Sequence, residues 1–296
     1  MMQGLNVQNW KDLRWPEDSY QYDEKKGLMA VADGITRDPK NLFILPNRNN
    51  LAGMMKFFWN YPGSKLKFWK REKSPAKIAA DKFCTAFMSA MQTFDKKDAR
   101  AVRYSFEKAN EEIKILNEEH NPEPDYLEND YWGCVAAGCA LRQEEGQKIL
   151  SYGFIADCGI AVFNEGNGRK FMTPNEGPNS KGSIDADIKS KYKTGFKFPE
   201  GRKIIRSEYR NNPIQPLAYG ALTGEENVMR YVRTGEIEIK KRDILIIHTD
   251  GLEEIVKSRE LSEAIDLGYL NSMRIYCKQN VKSKGTMVYF IDREND

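Results

Sequence analysis

Histidine and paired cysteine are what this sequence has least of. Its 296 residues include two histidines, His120 and His248, too few and too far apart in the chain to build a His-rich metal centre. The five cysteines (Cys84, Cys134, Cys139, Cys158 and Cys277) are odd in number and scattered, and no C-x-x-C occurs. That excludes a zinc ribbon and a disulfide framework, and it suits a reducing compartment. Long apolar runs are missing too: none approaches bilayer length, and Met1 to Trp15 is polar with single aromatics, unlike a signal peptide. The expectation is a cytoplasmic protein without a transmembrane segment. Charge excess is likewise small. Lys and Arg number 46 against 43 Asp and Glu, a net charge of +3, which gives no global pull towards nucleic acid or an anionic membrane. With 40% hydrophobic and 30% charged residues, the composition is that of a soluble globular chain able to bury a full core. No internal repeat or linker divides it, so residues 1–296 read as one domain.

What is present centres on one stretch, Asp243-Ile244-Leu245-Ile246-Ile247-His248-Thr249-Asp250-Gly251. The aliphatic run reads as a buried strand. It ends in Asp-Gly, where glycine lets the chain turn and leaves a carboxylate at the strand tip. A second copy lies far upstream, Gly27-Leu28-Met29-Ala30-Val31-Ala32-Asp33-Gly34. Each Asp-Gly alone is an ordinary turn. Together, two apolar strands each ending in Asp place two acids in one sheet core, where paired carboxylates bind a hard cation or share a proton.

Around these strands the pattern alternates between periods. Glu17 and Asp18 come shortly before the first of them; neighbours in a strand face opposite sides, so one would enter a site while the other supports it. Residues 35–74 interleave Phe57, Phe58, Trp59, Phe68 and Trp69 with Lys56, Lys65, Lys67, Lys70 and Arg71. Such an insert packs its aromatics on its own protein and leaves the lysines in water, or it forms a lid or partner surface. Ser74-Pro75 starts a helix with Ile78, Phe83, Phe87, Met91 and Phe94 at helical spacing, and Asp98 starts a second with Val102, Phe106, Ala109, Ile113 and Leu116 on one face. From residue 131 the period becomes that of strands: 131–141, 148–156 and 159–163, with Asp157-Cys158 read as a hairpin turn. Residues 165–220 read as a long irregular, flap-like loop. A short helix over 223–232, strands at 236–239 and 243–250, a mostly helical 261–281 and a last strand over 285–292 complete the chain. The pattern is α+β, with helices covering antiparallel sheets.

In this order, Glu17-Asp18, Val31-Ala32-Asp33-Gly34, the strand at Gly133, Tyr152-Gly153-Phe154-Ile155-Ala156-Asp157, Thr249-Asp250-Gly251-Leu252 and a terminal strand with Thr286 resemble the metal-dependent protein serine/threonine phosphatases of type 2C (PPM-like), in a divergent bacterial form. Tyr219-Gly220-Ala221-Leu222-Thr223-Gly224-Glu225 looks like that family's turn before its late helix. The match spans nearly the whole chain apart from 35–74 and 165–220. The resemblance implies an α/β/β/α sandwich, two antiparallel sheets flanked by helix pairs, with two Mn²⁺ or Mg²⁺ ions in a cleft between the sheets. It implies that Asp33 bridges the ions, that Glu17 and the Gly34 carbonyl complete one site, and that Asp250 binds the other. Asp18 would stand behind these ligands, and Arg14 would hold the phosphate of a phosphoprotein substrate. The implied reaction is hydrolysis of phosphoserine or phosphothreonine by a metal-bridging hydroxide, with Asp33 and Asp250 catalytic.

Three departures from the family pattern bear on this. Ser283 stands where the resemblance puts a further metal-binding Asp, and Lys282 and Lys284 flank it. A hydroxyl is a poor ligand for a hard cation, and neighbouring ammonium groups oppose one electrostatically. Ile35 follows the first Asp-Gly, where many eukaryotic members have histidine. The glycine-rich start of the first long helix gives way to the aromatic-basic insert. The alternative reading is therefore a catalytically impaired pseudophosphatase, a binding or regulatory module with one metal site weakened.

Overall fold

A strand whose inner residues are all apolar has to be covered on both faces, and Ile244 to Ile247 of Asp243–His248 are. Leu245 and Ile247 join one core cluster, while Ile244 and Ile246 join another on the opposite side. The computed structural model describes residues 2–8, 17–35, 73–127, 129–164, 168–178, 184–196, 198–258, 261, 276–277, 279–281 and 284–291.

The strands are β1 (Met2–Gln8), β2 (Ser19–Asp23), β3 (Leu28–Gly34), β4 (Cys134–Glu144), β5 (Gln147–Ile155), β6 (Gly159–Asn164), β7 (Gly168–Met172), β8 (Arg233–Ile239), β9 (Asp243–His248) and β10 (Lys284–Ile291). They form two five-stranded sheets, ordered β1-β10-β9-β6-β7 and β2-β3-β4-β5-β8. Every pairing is antiparallel. The sheets face one another across the larger core cluster, which includes Val31, Ile155, Ile160, Leu245, Ile247 and Val288.

Helices α1 (Pro75–Gln92) and α2 (Ala99–His120) lie on the outer face of the second sheet. The start of α1 is fixed by Ser74, whose hydroxyl accepts the Lys77 N–H at 3.1 Å. The start of α2 is fixed by Asp98, which accepts the N–H groups of Arg100 and Ala101 at 2.9 and 3.0 Å. Such caps satisfy donors that a helix start leaves unpaired. The apolar faces read from the sequence meet here: Phe106 lies 5.1 Å from Phe83 and 5.5 Å from Phe87, ring centre to ring centre. The outer face of the first sheet is covered by α5 (Glu253–Lys257) and by Leu261, Cys277 and Val281. The architecture is thus α+β, a sandwich of two antiparallel sheets with helices outside. Among the described residues no helix is long and apolar enough to cross a membrane.

The elements differ from the sequence reading in four places. The polar lead-in contains β1, which pairs with β10; its apolar Met2 and Leu5 enter different core clusters and make no period-2 pattern that would stand out. The turn at Asp157-Cys158 is no hairpin. β5 pairs with β4 and β8 in one sheet, whereas β6 pairs with β9 and β7 in the other, so this turn carries the chain across the sandwich, through Ala156 in the left-handed region at φ 60°. The stretch 165–220 holds more regular structure than expected: β7, α3 (Ile184–Tyr192) and α4 (Pro199–Ile204), continued by a π-helical turn, Ile205–Tyr209. The helix expected over 223–232 is a 3-10 turn, Glu226–Arg230, and the strand after it is longer than 236–239. The insert at 35–74 lies outside the described residues except at its ends, as does most of 261–281.

A buried charge network ties the 165–220 stretch to the sandwich. Arg210 donates to both Asp130 carboxylate oxygens, at 2.8 and 2.9 Å, and to Glu225 at 3.2 Å. Asn211 and Thr223 donate to the same Glu225 oxygen at 2.9 and 2.6 Å. Removing one partner of a buried pair strands the other charge. Arg210→Met is expected to cost about 3–5 kcal/mol in chemical denaturation. The double variant Arg210→Met/Asp130→Leu is expected to recover most of that loss.

Candidate active site

The ends of β3 and β9 deliver Asp33 and Asp250 as the sequence predicts, but the glycines after them do a different job from turning. Neither Gly34 nor Gly251 has a positive φ. A Cβ on Gly34 would lie 2.4 Å from the Ala76 carbonyl oxygen, and one on Gly251 would lie 1.7 Å from that of Lys284. Each Asp-Gly therefore lets another backbone come into direct contact with the strand tip: the start of α1 at Gly34, the start of β10 at Gly251.

Glu17 and Asp18 are extended chain just ahead of β2, and both are buried. Because they precede the strand, its alternation does not separate them, and both reach towards the ends of β9 and β10. The Lys284 ammonium donates to Glu17 Oε2 at 3.0 Å, and the two side chains are 4% and 8% exposed. Ser74 at the head of α1 donates to the other Glu17 oxygen at 3.4 Å. Asp18 accepts the Thr249 hydroxyl at 2.7 Å, and its main-chain carbonyl accepts Lys77 Nζ at 2.7 Å. The same Thr249 oxygen accepts the Thr286 N–H at 2.9 Å. One threonine thus joins the Glu17-Asp18 segment to both strands of the opposite sheet.

The electrostatics locate the remaining acids. Asp250 is exposed and opens a short 3-10 turn, Asp250–Leu252, while Asp33 is partly buried opposite Val135 of β4. Burial pushes the Cys158 thiol well above its ordinary range, and the charges of Asp157, Asp33, Asp250 and Asp18 push it further the same way. Four carboxylates, two from the ends of β3 and β9, one ahead of β2 and one from the crossing between the sheets, thus act electrostatically on one cysteine. The Asp157 carboxyl is itself pushed up to about 7, first by burial and then by the charges of Asp250 and Glu253.

Of the residues singled out from sequence, Glu17, Asp18, Asp33, Gly34 and Asp250 come to this end of the sandwich. Arg14 and Ser283 lie outside the described residues. Sequence reasoning noted the lysines beside Ser283 but not where Lys284 goes; its place as the single charge entering an apolar strand was the available signal. It also passed over Thr249 as a support, and took Asp157 for a hairpin turn because tight loops between strands usually join neighbours.

Among the described residues, no three His, Cys, Asp or Glu side chains form a group that could hold a metal ion as they stand. In chemistry the two halves of the site differ. Asp33 and Asp250 are hard oxygen donors of the kind a divalent cation takes. Glu17 does not suit one in this arrangement, because an ammonium already balances it.

The Asp157 shift fixes a sign for stability. In the folded chain Asp157 keeps its proton up to about pH 7, whereas in the unfolded chain it loses it near the ordinary 3.8. Folding stability therefore falls as pH rises through that window. In chelator, Asp157→Asn is expected to raise stability by about 2 kcal/mol at pH 8, allowing for partial solvent contact, and to give no gain near pH 4. Thermal melts at the two pH values check this; equal effects at both would contradict it.

No family model matches the sequence, and no curated protein does. Solved structures do match the fold. The catalytic domain of the serine/threonine protein phosphatase PstP, in complex with 2 manganese ions, aligns with a TM-score of 0.55 at 16% identity over 98% of this chain and 96% of that one. The PPM phosphatase MsPP of Mycobacterium smegmatis, in complex with cacodylate, gives 0.53 at 14% identity over 99% and 98%. A bacterial serine phosphatase gives 0.60 at 10% identity over 100% of both chains. Identities this low carry the fold and leave chemistry to the site. The two antiparallel sheets, the helix pair and the full-length alignments agree: this chain has the fold of the metal-dependent PPM serine/threonine phosphatases.

Proposed function

We propose that the chain is a metal-dependent phosphomonoesterase acting on phosphoserine or phosphothreonine in a protein substrate. The observation that carries this reading is that Asp33 and Asp250 stand at the ends of buried strands of the two sheets, with Asp18 tied to the β9 end through Thr249, in a PPM-type sandwich. Asp33 and Asp250 would hold a divalent ion, Mn²⁺ or Mg²⁺, with the Gly34 carbonyl as a further oxygen donor. When bound, such an ion supplies Lewis acidity to water and to a phosphoryl oxygen. The chain's own part is positioning. Thr249 fixes Asp18 and the ends of β9 and β10, and Gly34 and Gly251 allow α1 and β10 to pack directly on the strand tips that carry the acids. Arg14 is assigned to the substrate phosphate, a role that follows from the sequence resemblance alone.

A second reading, a catalytically impaired relative that binds phosphoprotein without hydrolysing it, is favoured by one specific contact, the Lys284–Glu17 pair. Residues 35–74 would then be its partner surface.

Hydrolysis of a phosphopeptide and of p-nitrophenyl phosphate, with Mn²⁺, with Mg²⁺ and with EDTA, separates the two. Metal-dependent turnover is expected in the wild type. In Asp33→Ala it is expected to fall by more than the roughly 10–100-fold typical of losing a residue behind a metal ligand, with the circular dichroism of the fold kept. Absence of turnover in folded wild type under all conditions would transfer the assignment to the binding module, and undiminished turnover in Asp33→Ala would remove Asp33 from the centre.

A further inference from the structure

The Lys284–Glu17 pair is the feature of this site that the phosphatase reading leaves unexplained. We infer that the Lys284 ammonium takes the place of a metal ion at Glu17, so that the site accepts a single divalent ion, held on the Asp33–Asp250 side. This rests on the metal-dependent reading above for the ion it retains, but not for the lysine's role.

Three observations carry it. The first is the contact itself. Nζ lies 3.0 Å from Glu17 Oε2, with both side chains almost wholly buried, so the ammonium occupies space on the protein side of the carboxylate rather than in solvent. A carboxylate that accepts an ammonium N–H and the Ser74 hydroxyl has fewer lone pairs to offer, and a fixed positive charge beside it repels a second cation.

The second is that the lysine is built in. Its residue opens β10, pairs with Gln8 of β1, and has its carbonyl against Gly251, where even a Cβ would lie 1.7 Å away. With the backbone held from both sides, the side chain can reach Glu17 without any rearrangement of the strand. A surface lysine that happened to fold inwards would lack this support.

The third is charge. Of the three acids assigned as ion ligands, Glu17 is matched by the Lys284 ammonium, which leaves Asp33 and Asp250 to be balanced by one divalent ion, while Asp18 is held by the Thr249 hydroxyl. The sequence has serine at 283, where the resemblance puts an aspartate, so it supplies no further carboxylate at that position.

The test is the Mn²⁺ stoichiometry of the full chain, from equilibrium dialysis and the free-ion electron paramagnetic resonance signal, with melting temperatures measured alongside. The wild type is expected to bind one Mn²⁺ per chain and Lys284→Met two. The double variant Glu17→Gln/Lys284→Met, which removes both charges and leaves no stranded carboxylate, is expected to bind one. Lys284→Met is also expected to melt lower than the wild type in EDTA and to regain more on addition of Mn²⁺. If it folds poorly without metal, it is prepared in Mn²⁺ and compared with the double variant.

Two ions in the wild type, or one ion in both the wild type and Lys284→Met, would overturn the inference and leave the phosphatase reading standing. One ion in the wild type and two in Lys284→Met, with no turnover in either, would uphold the inference and sink the phosphatase reading. No ion in the wild type but one in Lys284→Met would uphold the lysine as the displacing cation while removing the retained ion. No ion in either would overturn both.

Discussion

Carboxylates drawn together at the end of a buried sandwich repel one another and lose hydration, so the fold has to supply positive charge, donors or protons to keep them there. Much of what surrounds this site meets that constraint. Glu17 is met by Lys284 and Ser74, and Asp18 by the Thr249 hydroxyl. Asp157 is met by a proton, its carboxyl being pushed up to about 7 by burial and by the charges of Asp250 and Glu253. Each acid has its own solution, and the differences between them divide the cleft into a half whose charge is balanced internally and a half that favours a cation.

The backbone makes these solutions possible. Gly34 lets the start of α1 pack directly on the tip of β3, and Gly251 lets the start of β10 pack directly on the turn after β9, so each strand end that carries an acid is held by another backbone. The crossing at Ala156-Asp157-Cys158 sends the chain from the second sheet to the first, which is why Asp157 stands beside Asp250 rather than on an outer hairpin. The Arg210–Asp130–Glu225 network holds the 205–225 region against the same sandwich. This end of the sandwich is therefore assembled from segments distant in sequence, each fixed by its own buried polar contacts.

This division also marks how far the sequence could be read. The helix pair was legible because Ser74 and Asp98 cap helices whose apolar faces repeat at 3.6 residues, and β9 because its aliphatic run could only be buried. Asp33 and Asp250 were legible because each ends such a strand. β1 was not, since its pairing with β10 depends on a partner almost the whole chain away. The sheet crossing at Asp157 was not either, because local turn chemistry does not say which sheet the next strand joins. Lys284 was visible as a charge beside Ser283, but its partner Glu17 lies at the other end of the sequence, and only the packing of β10 on Gly251 brings the two together.

In the proposed site an ammonium on Glu17 and one divalent ion on Asp33 and Asp250 stand where the fold family would hold two ions. An anomalous difference map from a crystal grown with Mn²⁺, recorded at the manganese edge, tests it most directly. The account predicts one peak between Asp33 and Asp250, with Lys284 Nζ still on Glu17. Two peaks, with Glu17 ligating the second and Lys284 turned away from it, would contradict the account.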